Sequence, residues 1–225
     1  MTMPETGDGA VQLKLREQAY DRFTRQLLTR ELRPGQFVSQ RELVALTGMK
    51  LGAIRELIPR LEAEGLIRTV PQRGMQIAHL DLHLIRDAYQ FRLFLEGPAT
   101  RLFVEAAADE VLQALHARHL LVLERARAEG HSPELEALAQ ATDWGMHDQI
   151  IDALGNEIIS KAYRVNSIKI RLIRDAATRI DALVVPVMEE HLRIVERMLA
   201  RDAAGAEAAM AAHIQHARNR ALGMG

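Results

Sequence analysis

From Leu82 to Ala221 apolar residues recur almost without interruption at helical spacing, and nothing else in the chain constrains its fold so tightly. Helices are expected near 82–105 (bent or broken at Gly97-Pro98), 108–129, 133–153, 156–177, 179–200 and 203–221, with signals such as GHSP and LGN between them. Such faces must be buried against one another. β-Branched runs are short and aromatics make up only 4% of the chain, so this part reads as an all-α bundle of about six helices. The alanine-rich stretch from Ala206 to Ala212 is good helix former rather than linker. Neither a repeat of solenoid period nor a low-complexity tract interrupts the pattern.

At 225 residues and 48% hydrophobic, the chain can bury a proper core in one large or two modest domains. No apolar stretch approaches the roughly 20 residues that span a bilayer. The opening MTMPETGDGA has neither the basic start nor the apolar centre of a signal peptide, so residues 1–10 are expected to form a flexible leader and the protein to be cytoplasmic, with no membrane partner. With no cysteine there is no disulfide framework, thiolate metal site or catalytic thiol. Any metal must be held by carboxylates and by some of the nine histidines.

The formal charge of -1 hides an asymmetry. Residues 11–80 hold twelve basic against seven acidic side chains, a net of +5, whereas residues 81–225 hold seventeen against twenty-one, a net of -4. A basic N-terminal third joined to an acidic remainder points to nucleic acid at one end and something else at the other.

The basic third has the pattern of a small DNA reader. Leu15, Ala19, Phe23, Leu27 and Leu28 set out a first helix from Leu13 to about Arg30, which RPG ends. Ser39 with Glu42 three residues on makes a capping box for a short second helix, with Leu43, Val44 and Leu46 inward. Thr47-Gly48 makes the turn. A third helix runs from about Leu51 to Glu64, burying Ile54, Leu57, Ile58 and Leu61, and Gly65 closes it. LIRTV, PQRG and MQI then give two short strands about a tight turn. Helix, helix-turn-helix and hairpin together make a winged helix-turn-helix over residues 11–80, whose third helix would enter the major groove of double-stranded operator DNA. Arg73 and Gly74 at the hairpin tip would reach the DNA backbone or minor groove, Arg supplying charge and Gly close approach.

The skeleton RELVALTG, IRELIPRLEAEGLI and RGMQI resembles the DNA-binding domain of GntR-type bacterial transcriptional regulators, in particular the FadR subfamily. In that family an Arg before Glu-Leu, an Arg early in the recognition helix and another four residues later commonly contact the operator. The resemblance carries the first and third roles onto Arg41 and Arg55. The second falls on Leu51, with Lys50 one residue earlier and able to hold a phosphate, and the usual Thr-Pro is here Gly52-Ala53. A bidentate Arg on guanine is worth about 1–3 kcal/mol of discrimination, and Leu offers only apolar contact to a thymine methyl, so the family's consensus operator does not follow for this chain.

In the bundle, TDWGMHDQI sets Asp143 and His147 four residues apart on one helical face, bordering Ile150 and Leu154. His191 interrupts the stripe Val184, Val187, Ile194, Met198, and His213 interrupts Ala206, Met210, Ala217. Periodicity alone leaves two readings open: core histidines bonded to each other, or a metal site. His83, His116, His119, His131 and His216 are placed on solvated faces or in turns with no role. Arg92 in the row Ile85, Tyr89, Arg92, Glu96 is either an internal ion pair or an effector contact, and Asn166 among Ile159, Tyr163, Ile170 and Ile173 either bonds a neighbouring helix or meets the effector.

DxxMHDQIIDALGN, EEHLRIVERML and AAMAAHIQHA are similar to segments of the FadR subfamily's C-terminal helical ligand-binding domain, called FCD, so that the resemblance covers roughly residues 12–221. It implies that Asp143, His147, His191 and His213 bind a divalent metal and that Arg92 faces an effector; Asn166 is added as an effector residue from its place on the apolar stripe, and residues 81–225 are expected to form the metal-binding, effector-binding and dimerisation domain, since helix-turn-helix proteins generally read two half-sites. Three nitrogens and one oxygen suit Zn first, with Ni, Mn or Fe as other ions. The expected function is a transcriptional regulator, a repressor by the commoner family logic, homodimeric or of higher order, whose operator affinity follows a small carboxylate bound at the metal. The rivals are a metal-dependent hydrolase or oxygenase-like enzyme, for which no further acid-base residue stands near the ligands, and a DNA binder with a purely structural metal.

Overall fold

The computed structural model describes residues 7–130, 132–177 and 183–224. The chain divides into two compact units at Leu84 and Ile85. The first contains α1 (Gly7–Leu28), β1 (Phe37–Val38), α2 (Gln40–Thr47), α3 (Leu51–Ala63), β2 (Ile67–Val70) and β3 (Gly74–Ile77). Ala19, Phe23 and Leu27 of α1 pack with Leu43, Ile54, Leu57 and Leu61 into its core, all at most 2% exposed. Leu15 departs from expectation, being 42% exposed. The leader expected over 1–10 lies outside the described residues as far as Thr6, while Gly7 to Ala10 already belong to α1. Extending an existing helix backwards costs far less than nucleating one, which carries α1 beyond the expected Leu13.

Both ends of α2 are formed as the sequence dictates. The Ser39 hydroxyl accepts from the Glu42 amide at 3.2 Å while the Glu42 carboxylate accepts from the Ser39 amide at 2.6 Å. Those bonds also hold the Glu42 carboxyl below its usual range. Gly48 closes the helix in the left-handed region at φ 64°. From α1, Arg22 donates to the Thr47 carbonyl at 2.8 Å and ties the turn down.

The expected two-stranded hairpin is a three-stranded antiparallel sheet of order β1-β3-β2. Val38 pairs with Met75 on one edge of β3, and Thr69 with Met75 on the other. Two residues are too few to show the alternation that reveals a strand, so β1 carried no signal of its own. Val38, Ile67, Met75 and Ile77 turn inward and join the sheet to the helices.

Among its described residues the second unit has six helices: α4 (Leu82–Ala106, its first three residues on the near side of the division), α5 (Asp109–Glu129), α6 (Pro133–Asp152), α7 (Glu157–Ala177), α8 (Val184–Leu199) and α9 (Ala203–Ala221). The helix start expected at 179 falls outside the described residues. The break expected at Gly97-Pro98 does not occur, and α4 continues through Pro98. The amide that Pro98 lacks would have met the Phe94 carbonyl, and both residues lie on the exposed face, so the loss leaves no buried acceptor unpaired. Ser132 caps α6, accepting from the Leu135 amide at 3.1 Å, and Asp202 caps α9, accepting from the Gly205 amide at 2.9 Å. Helix α8 is central, packed against α5, α6 and α9. Val184, Val187, Met188 and Leu192 of α8 meet Val122, Leu123, Leu135 and Ala139 of α5 and α6. No described helix is long and apolar enough to cross a membrane.

Candidate metal centre

Three helices of the second unit each bring polar side chains to one point. Asp143 and His147 are one turn apart on α6, His191 lies in the middle of α8 and His213 in the middle of α9, and none is more than 3% exposed. One donor atom from each lies within 4.8 Å of all the others. His191 Nε2 is 3.2 Å from Asp143 Oδ1 and 3.3 Å from His213 Nε2, and His147 Nε2 is 3.8 Å from Asp143 Oδ1. Bonds near 2.0–2.2 Å to one ion set neighbouring donor atoms roughly 3 Å apart, which the two shorter separations match, and the four residues have the donor chemistry to hold a divalent ion.

The surroundings aim these atoms. His147 Nδ1 stands 2.7 Å from Glu96 Oε2, and His213 Nδ1 stands 2.7 Å from Glu190 Oε2. Each ring donates its Nδ1 proton to a carboxylate, which turns the Nε2 lone pair to the centre. Asp143 offers Oδ1 inward while Arg174 of α7 pairs with Oδ2. The same guanidinium lies 4.8 Å from the centre of the Trp144 ring, and that of Arg171 lies 4.7 Å from it.

The protonation states suit a cation. Burial drives His213 down to about 4 against the pull of Glu190. Burial also drives His191 well below the ordinary histidine value, reinforced by His213, His147 and His119. For Asp143 burial acts upward, but Arg174 and then His147 outweigh it and keep the carboxyl below its usual range. Glu190 is likewise raised by burial and more than restored by bonds from His213 and Arg220, ending at about 2. Neutral imidazoles beside an ionised carboxylate are the forms that bind a divalent ion, because metal and proton compete for the same lone pairs.

Arg92 is 4% exposed and forms a two-pronged pair with Glu96, Nη2 to Oε2 at 3.0 Å. Its Nη2 is also 3.1 Å from His147 Nε2. With Tyr89, Asp143, Arg174 and Arg220 it lines an opening beside the cluster, so it is both an internal ion pair and a wall of that opening. Asn166 donates to the Ala88 carbonyl of α4 at 3.0 Å, a bond to a neighbouring helix.

In the first unit, Arg41, Lys50 and Arg55 are exposed. Arg55 donates to Gln40 Oε1 at 3.2 Å. Leu51 is 39% exposed at the first residue of α3, and a side chain on Gly52 would meet open space. Arg73 lies with its guanidinium 4.1 Å over the Phe37 ring. Gly74 has φ 88°, and a Cβ there would come 3.0 Å from the Val38 carbonyl oxygen. Glycine is thus required by the pairing of β1 with β3, whatever approaches from outside.

Several side chains of the centre lay beyond the sequence reading. His119, expected on a solvated face or in a turn, is completely buried, with Nε2 3.2 Å from His191 Nδ1. A signal existed, since His119 interrupts the stripe Leu112, Leu115, Val122 just as His191 interrupts its own. Glu190 and Arg174 carried none, because their partners His213 and Asp143 are distant in sequence. His83 and His216 are exposed, His116 is half-buried, and His131 lies outside the described residues.

A winged helix-turn-helix and a helical bundle in one chain define a DNA-binding transcriptional regulator rather than an enzyme. Residues 15–77 match the gntR family of bacterial regulatory proteins and residues 87–216 match the FCD domain, so the chain belongs to the FCD-type members of the gntR family. It is 29% identical over 183 residues to the Nta operon transcriptional regulator of Aminobacter aminovorans, covering 81% of this chain and 83% of that one. Its fold is similar to that of McbR/YncC from E. coli, with TM-score 0.70, 18% identity and coverage of 90% of this chain and 94% of the other. A GntR transcriptional regulator from Rhodococcus sp. RHA1 has TM-score 0.73 and 16% identity, with coverage of 93% and 98%.

Proposed function

We propose that this regulator is a repressor whose operator affinity is set by a small organic acid bound beside a divalent metal, zinc first, held by Asp143, His147, His191 and His213. The observation that carries the reading is the convergence of these four buried donors on one point, with a partner on the outer side of each. A five- or six-coordinate ion held by these four side chains would supply positive charge and open coordination positions for a carboxylate. The chain's own residues do the rest. Arg174 and Arg220 flank the opening and attract an anion, while the Arg92 pair with Glu96 keeps His147 oriented. Residues 11–80 form the DNA-binding domain, with Arg41, Lys50, Arg55 and Arg73 toward DNA and Gly74 shaping the tip beside Arg73, and residues 81–225 form the effector and dimerisation domain. Two copies read two half-sites, and the effector acts through its unequal affinity for two arrangements of the bundle.

The test is fluorescence anisotropy with the promoter region beside the protein's own gene and with unrelated DNA, over a salt series, before and after metal stripping and with a panel of small carboxylates. Selective binding with a steep salt slope, weakened by one carboxylate only when metal is present, is the expected result. Operator binding indifferent to metal and to every carboxylate would leave a structural metal as the better account.

A further inference from the structure

The three imidazoles of the cluster differ in what holds their outer nitrogen. His147 and His213 donate to carboxylates, but His191 Nδ1 faces a fourth imidazole, with His119 Nε2 at 3.2 Å. His119 is wholly buried, and its own Nδ1 lies 2.7 Å from the Leu115 carbonyl oxygen one turn back on α5. A carbonyl oxygen can only accept, so this contact places the His119 proton on Nδ1 and leaves Nε2 as an acceptor. An acceptor at that point draws the His191 proton to Nδ1, against the competing pull of Asp143 Oδ1 and His213 Nε2 on the other ring nitrogen. The His191 Nε2 lone pair then faces Asp143 and His213, at 3.2 and 3.3 Å.

We propose that His119 is a positioning residue which fixes the tautomer and ring plane of His191, making His191 Nε2 a ready donor for a divalent cation. The inference rests on the metal reading of the four-residue cluster. A neutral imidazole left to itself in water favours the proton on Nε2, which in this site would donate to Asp143 Oδ1 and occupy the position a cation needs. Leu112, Leu115 and Val122 fix the His119 side of the contact from the same face of α5, and the two rings meet edge to face with centres 5.2 Å apart. The Leu115 carbonyl and His119 thus do for the third imidazole what Glu96 and Glu190 do for the other two. They differ in strength, since a neutral acceptor draws the proton less than a carboxylate and leaves His191 the least basic donor of the three.

The experiment uses the full chain, metal-stripped, at a pH where histidines are neutral. Long-range proton–nitrogen NMR correlations of the imidazoles report the tautomer of His191 in the wild type, in His119→Phe and in His119→Gln. Competition with a chromophoric chelator then gives the zinc affinity of each. In the wild type His191 is expected to carry its proton on Nδ1. His119→Phe fills the same space without an acceptor; it is expected to release the tautomer and weaken zinc by about 10- to 100-fold. His119→Gln, whose amide oxygen can accept the same proton, is expected to keep most of the affinity. A ring needed only for packing would show in the unfolding of the stripped protein and leave zinc affinity alone. An Nε2-protonated His191 in the wild type, which requires no variant to fold, would overturn the proposal, as would wild-type zinc affinity in His119→Phe. Absence of zinc uptake by the wild type would instead overturn the metal reading and the donor role with it, whichever tautomer the spectra show.

Discussion

Arg92 and Glu96 stand one turn apart on α4, both shut off from water, and each is tolerable only because of the other. Removing one partner of a buried pair leaves an uncompensated charge and typically costs about 3–5 kcal/mol. Arg92→Gln is therefore expected to lower the denaturation midpoint of the metal-stripped protein. It should weaken metal too, because Glu96 also holds His147. An unchanged midpoint in a urea titration would mean that the charges are solvated. Arg55 is exposed and donates to Gln40. Arg55→Ala is therefore expected to leave folding alone and weaken operator binding by roughly 1–3 kcal/mol, read by anisotropy; equal affinity across the titration would remove Arg55 from the DNA-contacting set.

At the scale of elements the sharpest constraint is the join between β1 and β3. Gly74→Ala combines a left-handed backbone with a Cβ 3.0 Å from the Val38 oxygen, so it should destabilise the first unit by more than the 1 kcal/mol or so that a left-handed residue alone costs. Its thermal unfolding would show this, and an unaltered transition would mean that the edge strand yields freely. That edge was also the least legible part of the fold. The helices declared themselves through repeated apolar spacing, and α2 through Ser39 and Glu42, because these signals lie within a few residues of one another. β1 offered two residues, and Pro98 looked like a break only because sequence does not show which face of α4 meets water. The candidate centre divides on the same line. Asp143 and His147 read as a pair because one turn separates them, and the later histidines stood out on apolar stripes. The bond from Arg174 to Asp143 and that from His213 to Glu190 exist only once α6, α7, α8 and α9 have assembled.

For the whole molecule, the buried histidines make stability depend on pH even without metal. An unfolded histidine takes a proton near pH 6.5, whereas His213 in the fold resists until about 4. Its contribution is fully present above the unfolded value, is lost as pH falls from there towards about 4, and levels off below. His191, also depressed, works in the same direction. Glu190 adds a second loss between the ordinary glutamate value of 4.5 and about 2. The metal-stripped protein should therefore melt several degrees lower at pH 5 than at pH 7.5, and scanning calorimetry with a chelator would show it; equal transitions would mean that these rings are protonated in the fold. Added zinc should raise the transition at pH 7.5 and do far less at pH 5, where protons hold its ligands. Such measurements need no label. Trp144 is the chain's one tryptophan; it adjoins Asp143 in sequence and lies against the guanidinium that grips that carboxylate. A cation or anion that draws Arg174 aside changes the charge above the indole ring, so the tryptophan emission is an optical gauge of the centre.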